Sequence, residues 1–242
     1  TIAEIPFLVN SPEIAQKVLT KYVDKFMKDA FVEGTFMGVS STDPFQIFAT
    51  KPIKSVKDIE NLKISDSVTA RINFYKSLGA APVSVTNTEL YESLERNVVT
   101  AASYTAVGAS GFKLEEVAPY MTKIDFAVSI QPFLMNTGFL NSLPEDIKKQ
   151  FNEDIGPKYA DLITELYTNG AEESIKTYEE TVKKKGGGVY VPSEQEMKEI
   201  KEPVKKQMEA WVKEADKRGY NGQEMMDYFV GLIEAEGVKI PK

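Results

Sequence analysis

The chain has 242 residues, 42% of them hydrophobic, a formal net charge of −7, and neither cysteine nor histidine. That length fits one large or two small domains with a real core, and the acidic balance without a basic block argues against a nucleic-acid partner. Missing thiols and imidazoles remove disulfides, thiol nucleophiles, imidazole bases and almost every zinc site.

No stretch approaches the ~20 apolar residues of a membrane span. The chain opens at once in sequence that reads as folded protein, which is expected of a processed, trimmed or partial chain. An apolar strand end is expected over residues 5–9, then the cap Ser11-Pro12-Glu13 and a helix to about Phe26. Strands are expected over 36–39 and 45–49, and Ser55, with Asp58 three residues on, opens a short helix.

The most regular segment is 62–105. A short apolar strand at 62–64 is followed by the turn cluster Ser65 to Ser67 and a helix over 70–78 that Gly79 stops. A second strand at 83–85, a helix over 88–96 and a third strand beginning at Val98 complete the pattern. Repeated strand–helix–strand units predict a mostly parallel sheet with helices on its faces. Ligands of such sheets bind outside the carboxyl ends of the strands, which gathers Ser65, Asn87 and Tyr104 around one crevice.

Residues 118–136 read as extended and apolar, and Leu143-Pro144-Glu145 opens a helix. Gly156-Pro157 is expected to break it and start another that runs about 28 residues and ends at Lys183-Lys184-Lys185, stopped by Gly186 to Gly188. At 1.5 Å per residue that helix is about 42 Å long, enough to span two lobes. A strand at 189–191, a capping-box helix from Ser193 restarted by Pro203, and a last helix after Asn221 close the chain.

The order LKI, turn, SLGAAPV, TELYESLERNVV resembles the solute-binding proteins of tripartite ATP-independent periplasmic (TRAP) transporters, the DctP-like family. IPFLVNSPEIAQKVL, ATKPIKSVKDIENLKI, NSLPEDIKKQF and the long helix agree with it, so the resemblance covers nearly the whole chain. It implies an α/β, two-lobed periplasmic-binding-protein-like fold with a lobe-spanning helix. Residues 1–43 and 130–170 would belong to lobe I, with its first strands missing, and 44–129 and 171–242 to lobe II with the C-terminal helices. It further implies an extracytoplasmic monomer that captures a small organic ligand, an organic anion first of all, and hands it to TRAP membrane subunits. No cofactor, metal or catalysis is implied.

The departures from the family pattern fall on the site. The strand-closing arginine of the family is Ser65 here, a second frequent arginine aligns near Phe45, the usual Asn is Tyr104, and the aromatic before the ELY helix is Asn87. Only Arg71, Arg96 and Arg218 are arginines, and Arg71 opens a helix aimed at the crevice. It is the candidate carboxylate clamp, against the plainer reading of a surface ion pair. Ser65 and Asn87 are candidate hydrogen-bonding groups or ordinary turn residues. Phe45 and Tyr104 are a candidate aromatic wall or core packing, and Gln131 is a weaker strand-end contact. Two rival functions share these observations. A receptor's sensing domain would carry the same fold. An enzyme would need paired carboxylates or a Ser–Lys arrangement, and no GxSxG or Walker pattern is present.

Overall fold

In the computed structural model, which describes residues 2–27, 30–32 and 34–241, side-chain caps start several helices where the sequence puts them. Ser11 Oγ accepts from the Ile14 N–H at 3.3 Å and opens α1 (Pro12–Phe26). Strands β1 (Gly34–Ser41) and β2 (Phe45–Ala49) follow, then α2 (Val56–Ile59), where the Asp58 carboxylate accepts from the Ser55 N–H at 2.9 Å. The regular segment folds as β3 (Lys63–Ser65), α3 (Thr69–Ser77), β4 (Ala81–Val83), a 3-10 turn (Asn87–Glu89), α4 (Leu90–Glu95) and β5 (Ala101–Thr105). Next come α5 (Ala106–Gly111), β6 (Tyr120–Thr122), β7 (Ile130–Asn136), α6 (Thr137–Ser142), α7 (Glu145–Gln150) and the long α8 (Gly156–Lys183). The chain ends with β8 (Gly188–Tyr190), α9 (Glu194–Lys201), α10 (Val204–Lys217) and α11 (Gly222–Ala235).

Six strands form one sheet in the order β4-β3-β5-β2-β6-β8. The pairs β4–β3, β3–β5 and β6–β8 are parallel, as strand–helix–strand repeats require. The exception is β2, antiparallel to both β5 and β6, so the sheet is mixed. Each face carries its own core. Ile47, Ile64 and Ala101 pack on one side against residues 2–9, α1, α3 and α9 to α11. On the other side Phe48 and Ala102 meet Leu90, Leu94, Tyr178 and Val182.

A second sheet of two antiparallel strands, β1 and β7, lies beyond. Two extended segments, 42–45 and 126–130, run side by side and connect the sheets. They are joined by Thr42 N–H to Ser129 O at 3.0 Å, Ser129 N–H to Thr42 Oγ1 at 3.0 Å and Phe45 N–H to Ala127 O at 2.8 Å. Helix α8 spans both sheets. Its start seats on β1, where Gly156 approaches the Met37 carbonyl so closely that a Cβ would lie 2.4 Å from the oxygen. Its end packs Tyr178 against Phe48 and hydrogen-bonds the Ala118 carbonyl. A stripe of apolar side chains on α8, Tyr159, Leu162 and Leu166, stays exposed, as do Leu134 on β7 and Phe139 on α6.

Three expectations are corrected. Residues 5–9 are not a strand: a 3-10 turn over Ile2–Glu4 leads into a bend with Phe7 at φ 61°, and the apolar side chains are buried in the core of α1 and α11 instead. The second strand of the regular segment is Ala81–Val83, displaced toward Gly79 by pairing of Lys63–Ser65 with Ala81–Val83. Gly156-Pro157 does not break the helix. A π turn over Phe151–Ile155 joins α7 to α8 without interruption, and Pro157 follows it directly at the second position of α8.

Candidate functional site

The carboxyl ends of β3 and β5 and the start of the antiparallel β2 share one edge of the large sheet. Ser65 closes β3 there and is 5% exposed. Asp66 follows, and its carboxylate accepts from the Val68 N–H at 2.9 Å, turning the chain into α3. That turn delivers Arg71 one helical turn later. The Arg71 Nε–H donates to both Asp66 oxygens at 3.1 and 2.9 Å, and Nη1 donates to Ser129 Oγ at 3.1 Å. Glu4 Oε1 lies 3.9 Å from Nη1. The guanidinium carbon stands 3.9 Å from the Phe45 ring centre, a cation–π contact in a desolvated setting.

Phe45 and Tyr104 belong to the neighbouring strands β2 and β5, with Phe45 opposite Thr105 and Gln46 opposite Tyr104. Their rings lie 6.5 Å apart at 69°, and Tyr104 meets Phe112 at 5.9 Å and 83°. Burial pushes the Tyr104 phenol up to about 12, with the nearby Tyr167 adding to it. Beneath the ring, Gly108 leaves no room for a side chain: a Cβ there would lie 2.6 Å from Tyr104 Cε1.

Asp43, on the connecting segment, is 1% exposed. Its Oδ2 accepts from the Ala106 N–H at 2.8 Å and the Val107 N–H at 3.3 Å, while Oδ1 has no hydrogen-bond partner among the described residues. Desolvation pushes its carboxyl up to about 6 against those hydrogen bonds.

The structure therefore gathers Ser65, Arg71, Phe45 and Tyr104 at one edge. It does not bring Asn87 into that group: Asn87 is exposed on the 3-10 turn after the outermost strand β4. Gln131 is exposed on β7 in the other sheet, opposite Ser40, whose Oγ donates to Gln131 Oε1 at 3.3 Å. Sequence reasoning missed Asp66, Ser129, Asp43 and Phe112. An acidic residue five positions before a helix-opening arginine is a usable signal for Asp66. Ser129 and Asp43 carry none, because their partners are 58 and 63 residues away in the chain. A groove of about 560 Å³ lined by Glu60, Leu78, Glu199 and Pro203 lies at the amino ends of β3 and β4, away from this cluster.

These elements match a known family. The model for bacterial extracellular solute-binding protein, family 7 (DctP) matches residues 1–215, and the chain belongs to that family. By sequence it is 22% identical over 151 residues to a solute-binding protein of a Sulfitobacter species. That match covers 61% of this chain and 46% of the relative, so the chain spans under half of the relative's length. By structure it is similar to a TRAP solute-binding protein of Rhodoferax ferrireducens solved with copurified benzoate. The TM-score there is 0.88 at 18% identity, over 98% of this chain and 74% of that one. A marine metagenome TRAP solute-binding protein, described as specific for aromatic acid ligands and solved with metahydroxyphenylacetate, gives 0.87 at 22% identity over 97% and 74%. At these identities the structural likeness shows the fold, and the family is one of bacterial extracellular solute-binding proteins.

Proposed function

We propose that this protein is the ligand-capturing part of an extracytoplasmic TRAP solute-binding protein, and that it binds a small organic acid at the carboxyl edge of the large sheet. The observation that carries the reading is the buried Arg71 guanidinium, held at that edge between Phe45, Asp66 and Ser129. The organic acids bound by the similar structures, benzoate and metahydroxyphenylacetate, support it. In this reading the β1–β7 sheet is the part of lobe I present here, and the six-stranded sheet with α9 to α11 is lobe II. Membrane subunits of a TRAP transporter receive the loaded protein, which works as a monomer. The site binds without turnover.

Arg71 is the anchor in this scheme, and Ser65 adds a hydroxyl beside it. The described bonds use Nε and Nη1, whereas a guanidinium offers five N–H donors in a planar fork. Asp66 has two effects. It orients the guanidinium, and it offsets its charge, so the pair attracts an anion less strongly than a free arginine would. Asn87 and Gln131 are placed by this proposal at the rim, within reach of a ligand only when the lobes approach.

The test is calorimetry on the full-length protein with a panel of acetate, benzoate, succinate and galacturonate. A charge-assisted hydrogen bond is worth roughly 1.5–3 kcal/mol, so Arg71→Ala should weaken the best ligand by about tenfold to a hundredfold. Arg71→Lys should recover only part, and Asp66→Asn, which releases the guanidinium, should tighten binding. Equal affinities for the parent and Arg71→Ala would remove the anchor. Recovery of a chemically altered acid, several per protein molecule, would make the protein an enzyme.

A further inference from the structure

The charged groups at the site are Arg71, the Asp66 carboxylate it pairs with, Glu4 at 3.9 Å and the buried Asp43. Arg96 and Arg218 pair with Glu92 and Glu214 on exposed helix faces, and Lys123 pairs with Asp125 at 2.9 Å. Arg71 alone brings a guanidinium to the sheet edge. From it a row of rings continues without a gap: guanidinium to Phe45 at 3.9 Å, Phe45 to Tyr104 at 6.5 Å, Tyr104 to Phe112 at 5.9 Å. Exposure rises along the row. Arg71 is 3% exposed and Phe45 8%, Tyr104 is half-buried, and Phe112 is 38% exposed. The Tyr104 hydroxyl takes part in none of the hydrogen bonds among the described residues, so the ring's polar tip is available at the open end of the row. The missing side chain of Gly108 lets the ring pack closely against the start of α5.

This arrangement is asymmetric in chemistry: one guanidinium at the buried end, paired with Asp66 and 3.9 Å from Glu4, and aromatic faces and edges toward the open end. A dicarboxylate seated here would leave its second carboxylate against rings, and a sugar acid would leave several hydroxyls there; both lose hydration without replacement. A planar apolar body with one carboxylate loses nothing of the kind, and aromatic rings stack or meet edge to face with others at a gain beyond area burial. We infer that the ligand class of this site is the aromatic monocarboxylates, with Tyr104 as the specificity-determining residue that meets the ligand ring. The inference rests on the organic-acid reading above and narrows it.

The experiment compares affinities across the same panel for the full-length parent, Tyr104→Ala and Tyr104→Leu. Tyr104→Leu keeps apolar bulk in case the smaller residue unsettles the sheet edge, and circular dichroism melts check that both variants are folded. Benzoate should bind at least about tenfold more tightly than acetate, succinate or galacturonate in the parent. Both substitutions should shrink the benzoate-over-acetate ratio by about tenfold and leave acetate itself unchanged, a split that general destabilisation would not produce. A benzoate-over-acetate ratio that Tyr104→Leu leaves intact overturns the assignment of Tyr104. Tighter binding of succinate or galacturonate than benzoate, with sensitivity to Arg71→Ala, overturns the aromatic class while the organic-acid reading stands. Silence of the whole panel overturns both.

Discussion

Asp43 is where a single side chain couples the connecting segments to the large sheet, by accepting from the first two N–H groups of α5. Its burial also makes it a pH-dependent element of stability. The folded carboxyl lies near 6, above its ordinary value of 3.8, chiefly through desolvation. Between those values the folded state binds more protons than the unfolded state, so stability falls as pH rises. The burial cost is absent below about pH 4, grows through about pH 6 and is then constant, reaching on the order of 2–3 kcal/mol. In Asp43→Asn this dependence should vanish. Urea unfolding of parent and variant at pH 4, 5 and 6.5 isolates it, since other titrating groups cancel in the difference. A difference that stays flat over that range would mean the carboxyl titrates as if exposed. At this scale the sequence singled out Arg71, one of three arginines, and Phe45 and Tyr104, where a strand–helix–strand reading or the family pattern expects site residues, and these fold to one sheet edge. It was silent on Asp43 and Ser129. Nothing local distinguishes a carboxylate that caps a helix 63 positions later from one that faces water.

Among the elements, α8 depends on a backbone approach that only glycine allows. A Cβ on Gly156 would sit 2.4 Å from the Met37 carbonyl oxygen and 2.9 Å from Met37 Cβ, and backbone cannot swing aside as a side-chain end can. Gly156→Ala should therefore force α8 away from β1 and destabilise by about 1–3 kcal/mol. Gly231, exposed inside α11 with open space around its hypothetical Cβ, should respond with the opposite sign. Gly231→Ala removes unfolded-state freedom from a helix interior and should stabilise by about 0.5–1 kcal/mol. Chemical denaturation of both variants checks the pair; two changes of the same sign would refute the contact argument for α8. Elements with strong periodicity or a cap were legible: α1, α8, α9 and α11 begin and end within a few residues of expectation. The antiparallel direction of β2 was not, because direction is set by which segment feeds the strand. Here β2 is entered from the connecting segment, while β3, β4 and β5 are linked by helices that cross back over the sheet. The π turn before α8 was illegible for a related reason. A Gly-Pro pair normally ends a helix, whereas here a π turn precedes it and Gly156 seats on β1.

At the scale of the whole molecule, the two sheets are linked by segments 42–45 and 126–130, side by side, by helix α8, and by α1, which packs on both β1 and α11. Such a connection has the form of a hinge, in which a few extended residues absorb the change in direction while the packed bodies on either side stay rigid. Arg71 sits at the junction. Its Nη1 bond to Ser129 ties the large sheet's edge to one connecting segment, and Asp43 ties the other segment to α5. A ligand carboxylate drawing on the same guanidinium would bear directly on where the connecting segments lie. In the proposed scheme ligand binding and lobe approach are linked through one charged group, and a ligand shifts the equilibrium only by its differential affinity for the two states. If benzoate binds better when both lobes enclose it, small-angle scattering of the full-length protein should show a smaller radius of gyration at saturation than without ligand. Ser129→Ala, which removes the bond to Nη1 but leaves Arg71 and Asp66 in place, should alter that compaction more than it alters the benzoate-over-acetate ratio. An unchanged radius of gyration at saturating benzoate, with binding confirmed in the same sample, would show that capture proceeds without closure and that the connecting segments act as a fixed strut.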